Sequence, residues 1–171
     1  MGINLITQEG MAILQKELDF LWRTERPEIT QKVTWAAGLG DRSENADYQF
    51  NKQKLREIDR RVRHLRKRLE VLRPVPYAKE QEGKVYFGAW VTLVDDDDNT
   101  LFFRIVGADE IAHHQDYSSI NSPIAKACLG KEIDEEVYVQ TELLKKRWYI
   151  DNIFYGAPEL IEDKIAAAKA K

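Results

Sequence analysis

Two stretches of apolar residues spaced three and four apart dominate the first half of the chain. Leu14, Leu18 and Leu21 begin the first stretch, and Ile29, Val33 and Ala36 resume the same stepping. Residues at that spacing share one face of an α-helix, so the run predicts a helix with a single apolar stripe. Thr7 offers an oxygen to cap its start, and Glu9 places an acid in its first turn. Pro27 falls inside the run. A proline there removes one backbone hydrogen bond and crowds the preceding turn, so a kink or a break is expected. The second stretch, Tyr48, Leu55, Ile58, Val62, Leu65, Leu69 and Leu72, holds heptad phase throughout, with polar Asn51 filling one slot. Such a stripe is a seam for a partner helix, and the first stretch is the only other segment of matching period. Gly38-Leu39-Gly40 lets the chain reverse between them. The expectation is an antiparallel helical hairpin with arms of ~30 residues, each about 45 Å long.

Arg73-Pro74-Val75-Pro76 ends the second helix, because two prolines so close cannot continue it, and the stretch to Glu82-Gly83 reads as a linker. The period then changes from helix to strand. Tyr86 to Val94 is β-rich, Asp95 to Asn99 is a turn and Thr100 to Val106 is a second strand, a hairpin in all. Ser122-Pro123 starts a helix, with a cap followed by proline at the first helical position, and Gly130 is its stop. Glu136 to Thr141 and Arg147 to Tyr155 read as two more strands. The chain is therefore expected to be an α+β protein. A helical arm over residues 1–75 precedes a small domain over 76–157, with a largely antiparallel sheet and one helix packed on it. The alanine- and charge-rich tail, 158–171, is expected to be either a short exposed helix or a frayed end.

Composition narrows the class. The chain has 171 residues, 43% hydrophobic and 32% charged, which fits a protein with much surface for its core. No apolar run approaches the length of a membrane span, and the start lacks the pattern of a secretion signal. Cys128 is the single cysteine, so no intramolecular disulfide exists, and a cytoplasmic, monomeric protein is the expectation. No Walker loop, nucleophile elbow or zinc cluster is present.

The net charge of −3 hides an asymmetry. From Lys52 to Arg68, nine cations face only Glu57 and Asp59, leaving +7 there and −10 on the rest of the chain. One reading of this strip is a solvated helix face with some salt bridges to the first arm, as to Glu17, Asp19 and Glu25. The surplus suits a polyanion, with RNA or DNA phosphates the natural candidate. At the turn of the hairpin lies Gly40-Asp41-Arg42-Ser43-Glu44-Asn45-Ala46-Asp47-Tyr48. Asp41 and Glu44 have the spacing of a capping box, with Asp41 capping the returning helix and Glu44 reaching back from its third position. They are also hard oxygen donors of the kind Mg²⁺ takes. Two carboxylates are too few for an ion that wants six ligands, so such a site would be half a site. The two readings are compatible. Trp35 and Tyr48 flank the tip, as base-stacking surfaces or as seam packing. His113-His114 reads as a polar loop rather than a metal site, Asp95 to Asp98 as an acidic turn, and Cys128 as a small core residue.

The tip nonapeptide, Trp22-Arg23 and Arg26-Pro27 in the first arm, and Ser122-Pro123-Ile124-Ala125 in the second half together resemble bacterial transcript cleavage factors of the GreA/GreB family. Val33 to Ala37 and Leu55 to Val62 narrow the resemblance to one branch of it, and the likeness runs from about Leu5 to Tyr155. The resemblance implies an FKBP-like domain that docks on RNA polymerase and an arm inserted through the polymerase's secondary channel. Its tip helps hold a catalytic Mg²⁺ in the polymerase active site, so that the backtracked RNA 3′ end is cleaved by the polymerase and not by the factor alone. It further implies that Asp41 and Glu44 are the metal and water acids, supported by Ser43 and Asn45. Lys52, Arg56, Arg60, Arg61, Arg63, Arg66 and Lys67 would contact extruded RNA, and Asn121, Ser122 and Pro123 would face the polymerase. Thr141 to Lys145 lacks the glycine turn usual in the family, which puts that hairpin in question. Two other functions stay open: a regulator that occupies the channel without cleavage, and a prolyl isomerase suggested only by the implied fold.

Overall fold

The structure, a computed structural model, describes residues 4–40, 42 and 44–170. They fall into two compact units: Met11–Leu72, and the described residues up to Gly10 together with those from Arg73 onward.

The first unit is the helical hairpin. Helix α1 (Gln8–Phe20) runs into a π-helical turn (Leu21–Glu25) and then α2 (Arg26–Ala37), and α3 (Ala46–Val71) returns beside them. Of the kink or break expected at Pro27, no break occurs, and a π-helical turn stands just before it. Phe20, Glu25 and Arg26 all keep right-handed helical angles, and the Arg26 N–H reaches back five residues to the Leu21 carbonyl. That wider turn accommodates the proline ring without ending the helix. The expected seam is present. Ile29, Ile58 and Val62 are buried together, with Leu18, Leu21, Val33 and Leu55 packed against them. Ion pairs cross it from Arg26 to Asp59 at 2.7 Å and from Arg61 to Glu17 at 2.5 Å. With Lys54 to Glu25 at 3.8 Å, the pairs step in opposite directions along the chain, as an antiparallel pair requires.

The second unit begins with a strand that periodicity does not reveal. β1 (Leu5–Thr7) pairs in parallel with β2 (Arg73–Val75), Leu5 opposite Arg73 and Thr7 opposite Val75. Arg73 to Val75 is thus a strand, and the described residues up to Gly10 belong with the sheet domain rather than the arm. Glu110 explains the capture. Fully buried in a 3₁₀ turn (Ala108–His113), it accepts hydrogen bonds from Thr7 N at 2.8 Å, Gly107 N at 2.9 Å and the Thr7 hydroxyl. The same hydroxyl accepts from Gly10 N at 3.0 Å, which is the expected helix cap. Gly10 and Gly107 are small of necessity. A Cβ on Gly10 would stand 2.1 Å from a Glu110 oxygen, and one on Gly107 2.0 Å from the Leu5 carbonyl.

The sheet has the order β5-β4-β3-β7-β6, from β3 (Trp90–Val94), β4 (Thr100–Val106), β5 (Tyr117–Ser119), β6 (Glu136–Gln140) and β7 (Lys145–Phe154). Only β4 and β5 run parallel. Helix α4 (Pro123–Cys128) starts at Ser122, whose hydroxyl accepts from Ala125 N at 3.3 Å. Its Ala125 and Cys128 cover one face of the sheet with Val91, Leu93 and Ile150, and burial pushes the Cys128 thiol up to about 12. The expectation of one helix on the sheet, and of an exposed or frayed tail, needs correction. Helix α5 (Glu162–Lys169) covers the other face, with Ile165 in a cluster with Trp90, Val106, Tyr117 and Phe154. Lys169 pairs with Asp116 at 2.6 Å. The hairpin in question at Thr141 forms without glycine, because Thr141 N donates to the Leu144 carbonyl at 2.8 Å.

Two outcomes follow from this packing. Glu110→Ala strands three donors, and a loss of about 3 kcal/mol is expected. It reads as reduced hydrogen-exchange protection of the central-strand amides, and wild-type protection would show that the bonds contribute nothing. In the β3–β4 turn, the Lys146 ammonium and then the Asn99 amide hold the Asp95 carboxyl well below the usual carboxylate range. A lowered folded-state pKa stabilises above the unfolded value and is lost as pH falls through the folded one. Tm is therefore expected to drop on acidification below about pH 4, and Asp95→Asn to flatten that limb. An unchanged acid limb in the variant would assign it to other carboxylates.

Candidate functional site

The chain turns between Ala37 and Ala46, where Gly40 has φ of 125°, a left-handed region open to glycine. Asp41 and Ser43 lie outside the described residues. The expected capping box does not form. The cap of α3 is Asn45, whose Oδ1 accepts from Tyr48 N at 3.0 Å, so Glu44 precedes the helix instead of occupying its third position. The Asn45 amide also works in the other direction. Its Nδ2 donates to the Ala36 carbonyl at 2.7 Å, tying the end of α2 to the start of α3. An aspartate cannot do both, because an ionised carboxylate only accepts. Glu44 is exposed and has no hydrogen-bond or ion-pair partner among the described residues.

Tyr48 is buried at the start of α3. The Arg42 guanidinium lies 5.6 Å from its ring centre and the Lys52 ammonium 5.4 Å, with Lys52 also bonded to the phenol oxygen at 3.0 Å. The Lys52 bond is the main cause that pushes the phenol below its ordinary value. Tyr48 is thus a platform for two cations and not a stacking surface. The Gln49 side chain donates to the Arg42 carbonyl at 2.8 Å, which holds the loop from its other side. Trp35 remains 62% exposed, so it is not seam packing, and Leu39 and Phe50 are exposed as well. Sequence reading passed over those two, whose signal was their position off the apolar stripe.

The structure divides the basic strip. At about 100° per residue, Lys52, Arg56, Arg60, Arg63 and Lys67 form one stripe roughly opposite the seam. All five are exposed, and Arg60, Arg63 and Lys67 have no acidic partner among the described residues. Arg61 and Arg66 flank the seam instead. Arg61 grips Glu17 through two bonds of 2.5 and 2.9 Å, and the Arg66 guanidinium stacks 4.5 Å from the Trp22 ring centre. Both are thereby engaged by the first arm.

In the other unit, Asn121 and Pro123 are exposed and Ser122 is half-buried as the α4 cap. They share one loop on the sheet domain. No group of three or more His, Cys, Asp or Glu suited to a metal exists among the described residues. His114 stacks on Tyr117 and meets Trp90 edge-on, so it serves packing beside the 3₁₀ turn that His113 ends. Glu44, with no partner among the described residues, is a hard oxygen donor of the kind Mg²⁺ takes, but only as one ligand of several.

Removing the two-way Asn45 contact should loosen the tip. Asn45→Ala is expected to cost about 1–2 kcal/mol of local stability, read as faster amide exchange at Tyr48. Exchange as slow as wild type would show that the turn holds without it.

Comparison with known proteins covers both units. The family description "Transcription elongation factor, N-terminal" matches residues 4–73, and "Transcription elongation factor, GreA/GreB, C-term" matches residues 80–155. A relative named Transcription elongation factor GreB from Pseudomonas putida is 62% identical over 156 residues, covering 91% of this chain and 96% of the relative. Relatives of the same name from Pseudomonas syringae and Vibrio cholerae are 58% and 54% identical, covering 91% and 94% of this chain and 99% and 100% of their own lengths. On these matches the chain belongs to the GreA/GreB family of transcription elongation factors.

Proposed function

We propose that this elongation factor binds bacterial RNA polymerase, inserts its helical arm through the secondary channel and stimulates cleavage of backtracked RNA 3′ ends. The observation that carries the reading is Glu44: an exposed carboxylate with no partner among the described residues, in the turn between two long helices, where Asn45 ties the helices together without using the acid. A charge so placed contributes nothing to folding. It suits completion of a site that another molecule supplies. Asp41 joins it in this reading, and the hydrolysis belongs to the polymerase, because two carboxylates do not make a nuclease.

The Mg²⁺ of the completed site would neutralise charge on the phosphate and lower the pKa of a bound water. What this chain provides is orientation. Asn45 sets the tip, Tyr48 carries Arg42 and Lys52 beside it, and the outer stripe of Arg56, Arg60, Arg63 and Lys67 offers cations to the extruded RNA. Asn121, Ser122 and Pro123 belong to the polymerase-docking face in this reading. The protein acts as a monomer in the cytoplasm, where the polymerase is.

The central test is Asp41→Asn and Glu44→Gln in a halted elongation complex. Both keep size and remove charge, so competition with wild-type protein for polymerase should be unchanged while cleavage falls roughly a hundredfold, the scale of a lost transition-state charge contact. Wild-type cleavage by both variants would remove Asp41 and Glu44 from the chemistry and overturn their metal role. Replacing Arg56, Arg60 and Arg63 with Ala should impair cleavage of long 3′ overhangs more than short ones, most at low salt. Equal impairment at both lengths would assign the stripe to protein contacts.

A further inference from the structure

Tyr48 gathers two cations that the folding of the arm leaves unmatched. The Arg42 guanidinium lies 5.6 Å and the Lys52 ammonium 5.4 Å from its ring centre, and neither has an acidic partner among the described residues. Two like charges gathered on one ring repel each other, and an anion between them removes that cost.

The way each cation is held leaves its donors available. The ring attracts the Arg42 charge through its π-face and leaves the guanidinium fork, which matches phosphate oxygens, without an acceptor among the described residues. Lys52 gives one of its three donors to the Tyr48 oxygen at 3.0 Å and keeps two. The platform itself is fixed. Tyr48 is buried, its N–H donates to Asn45 at 3.0 Å, and the Gln49 side chain bonds the Arg42 carbonyl at 2.8 Å. Lys52 is also the member of the outer stripe nearest the turn, so Arg42 and Lys52 extend that stripe toward the tip. Arg42 stands two residues before Glu44, and two residues of chain span at most about 7 Å. A strand whose backbone follows the stripe therefore passes this pair as it reaches the acid.

We propose that Arg42 and Lys52, on the Tyr48 ring, clamp a single RNA phosphate beside the linkage that is cut. The role rests on the cleavage reading given above. Arg42 touches the RNA, and Tyr48 is a positioning residue that acts through it. Asp41 and Glu44 serve the metal, while the clamp fixes the strand. A carboxylate of the polymerase is the competing occupant.

The test uses halted, backtracked elongation complexes whose RNA carries one uncharged methylphosphonate linkage, placed in turn at each position beside the cut. At saturating factor, Arg42→Ala is expected to cleave native RNA about tenfold more slowly than wild type, the scale of one charge-assisted hydrogen bond, and to compete normally for polymerase. Arg42→Lys should recover part of the loss, because it restores the charge without the fork. The Mg²⁺ concentration for half-maximal cleavage should stay at the wild-type value in Arg42→Ala and rise in Glu44→Gln. At one methylphosphonate position wild type should fall to the rate of Arg42→Ala, and the variant should lose nothing further. Tyr48→Leu keeps an apolar side chain in the seam and should show the same loss at the same position, which a merely loosened tip would not. A gap between wild type and Arg42→Ala that persists at every position would assign Arg42 to a polymerase carboxylate and overturn the proposal. A wild-type rate for Arg42→Ala would overturn it equally. If Glu44→Gln abolishes cleavage in either case, the cleavage function stands and only the clamp falls. If wild-type protein stimulates no cleavage, the function falls and the clamp with it.

Discussion

A single buried carboxylate decides where the helical arm begins. Glu110 has no exposed surface, and the three groups that donate to it come from Thr7 and Gly107, a hundred residues apart in sequence. A buried carboxyl group is tolerated only when its oxygens are engaged. Satisfying it brings the first strand and the first turn of α1 onto the sheet domain. The parallel pairing of Leu5–Thr7 with Arg73–Val75 then sets the two ends of the arm side by side. Gly10 and Gly107 mark how closely the backbones approach there.

At the far end of the hairpin the constraint is of a different kind. Eight residues, Gly38 to Asn45, separate the two helices, and Asn45 joins both with one side chain. This division of labour frees the acid beside it. Charge at the tip is arranged rather than scattered: Tyr48 gathers Arg42 and Lys52 over its ring, and the outer stripe continues the positive field along α3. The cations nearest the seam are engaged differently, by Glu17 and by the Trp22 ring. Arg61 and Arg66 are thereby engaged by the first arm, while Arg60, Arg63 and Lys67 on the outer stripe have no acidic partner among the described residues.

The sheet domain is closed on both faces. Central strand β3 buries Val91 and Leu93 toward α4, and Trp90 in an aromatic cluster toward α5. The tail is thus structural where it packs as α5, and it contributes a cavity wall where it turns at Leu160. Arg104 links the two regions, stacking near Trp90 and Tyr117 while pairing with Glu9 at the cavity.

Periodicity alone determined the elements whose signals are local. The heptads of α3, the strand Thr100–Val106, the acidic turn before it and the Ser122-Pro123 helix start were all readable, because each depends on residues within a few positions of one another. The resemblance carried by the tip motif named the family. Tertiary structure decided the rest. Leu5–Thr7 and Arg73–Val75 are too short to show a period, and pair only because Glu110 and the sheet hold them. Residues 162–169 have little but Ile165 to mark an apolar face, so their place depends on Trp90 and Phe154, far away in sequence. Asn45 caps α3 while its amide reaches a carbonyl on the opposite helix, and the helix continues through Pro27 beside a π turn. In each case a local rule offered two outcomes, and a partner distant along the chain or an adjustment of the backbone selected one.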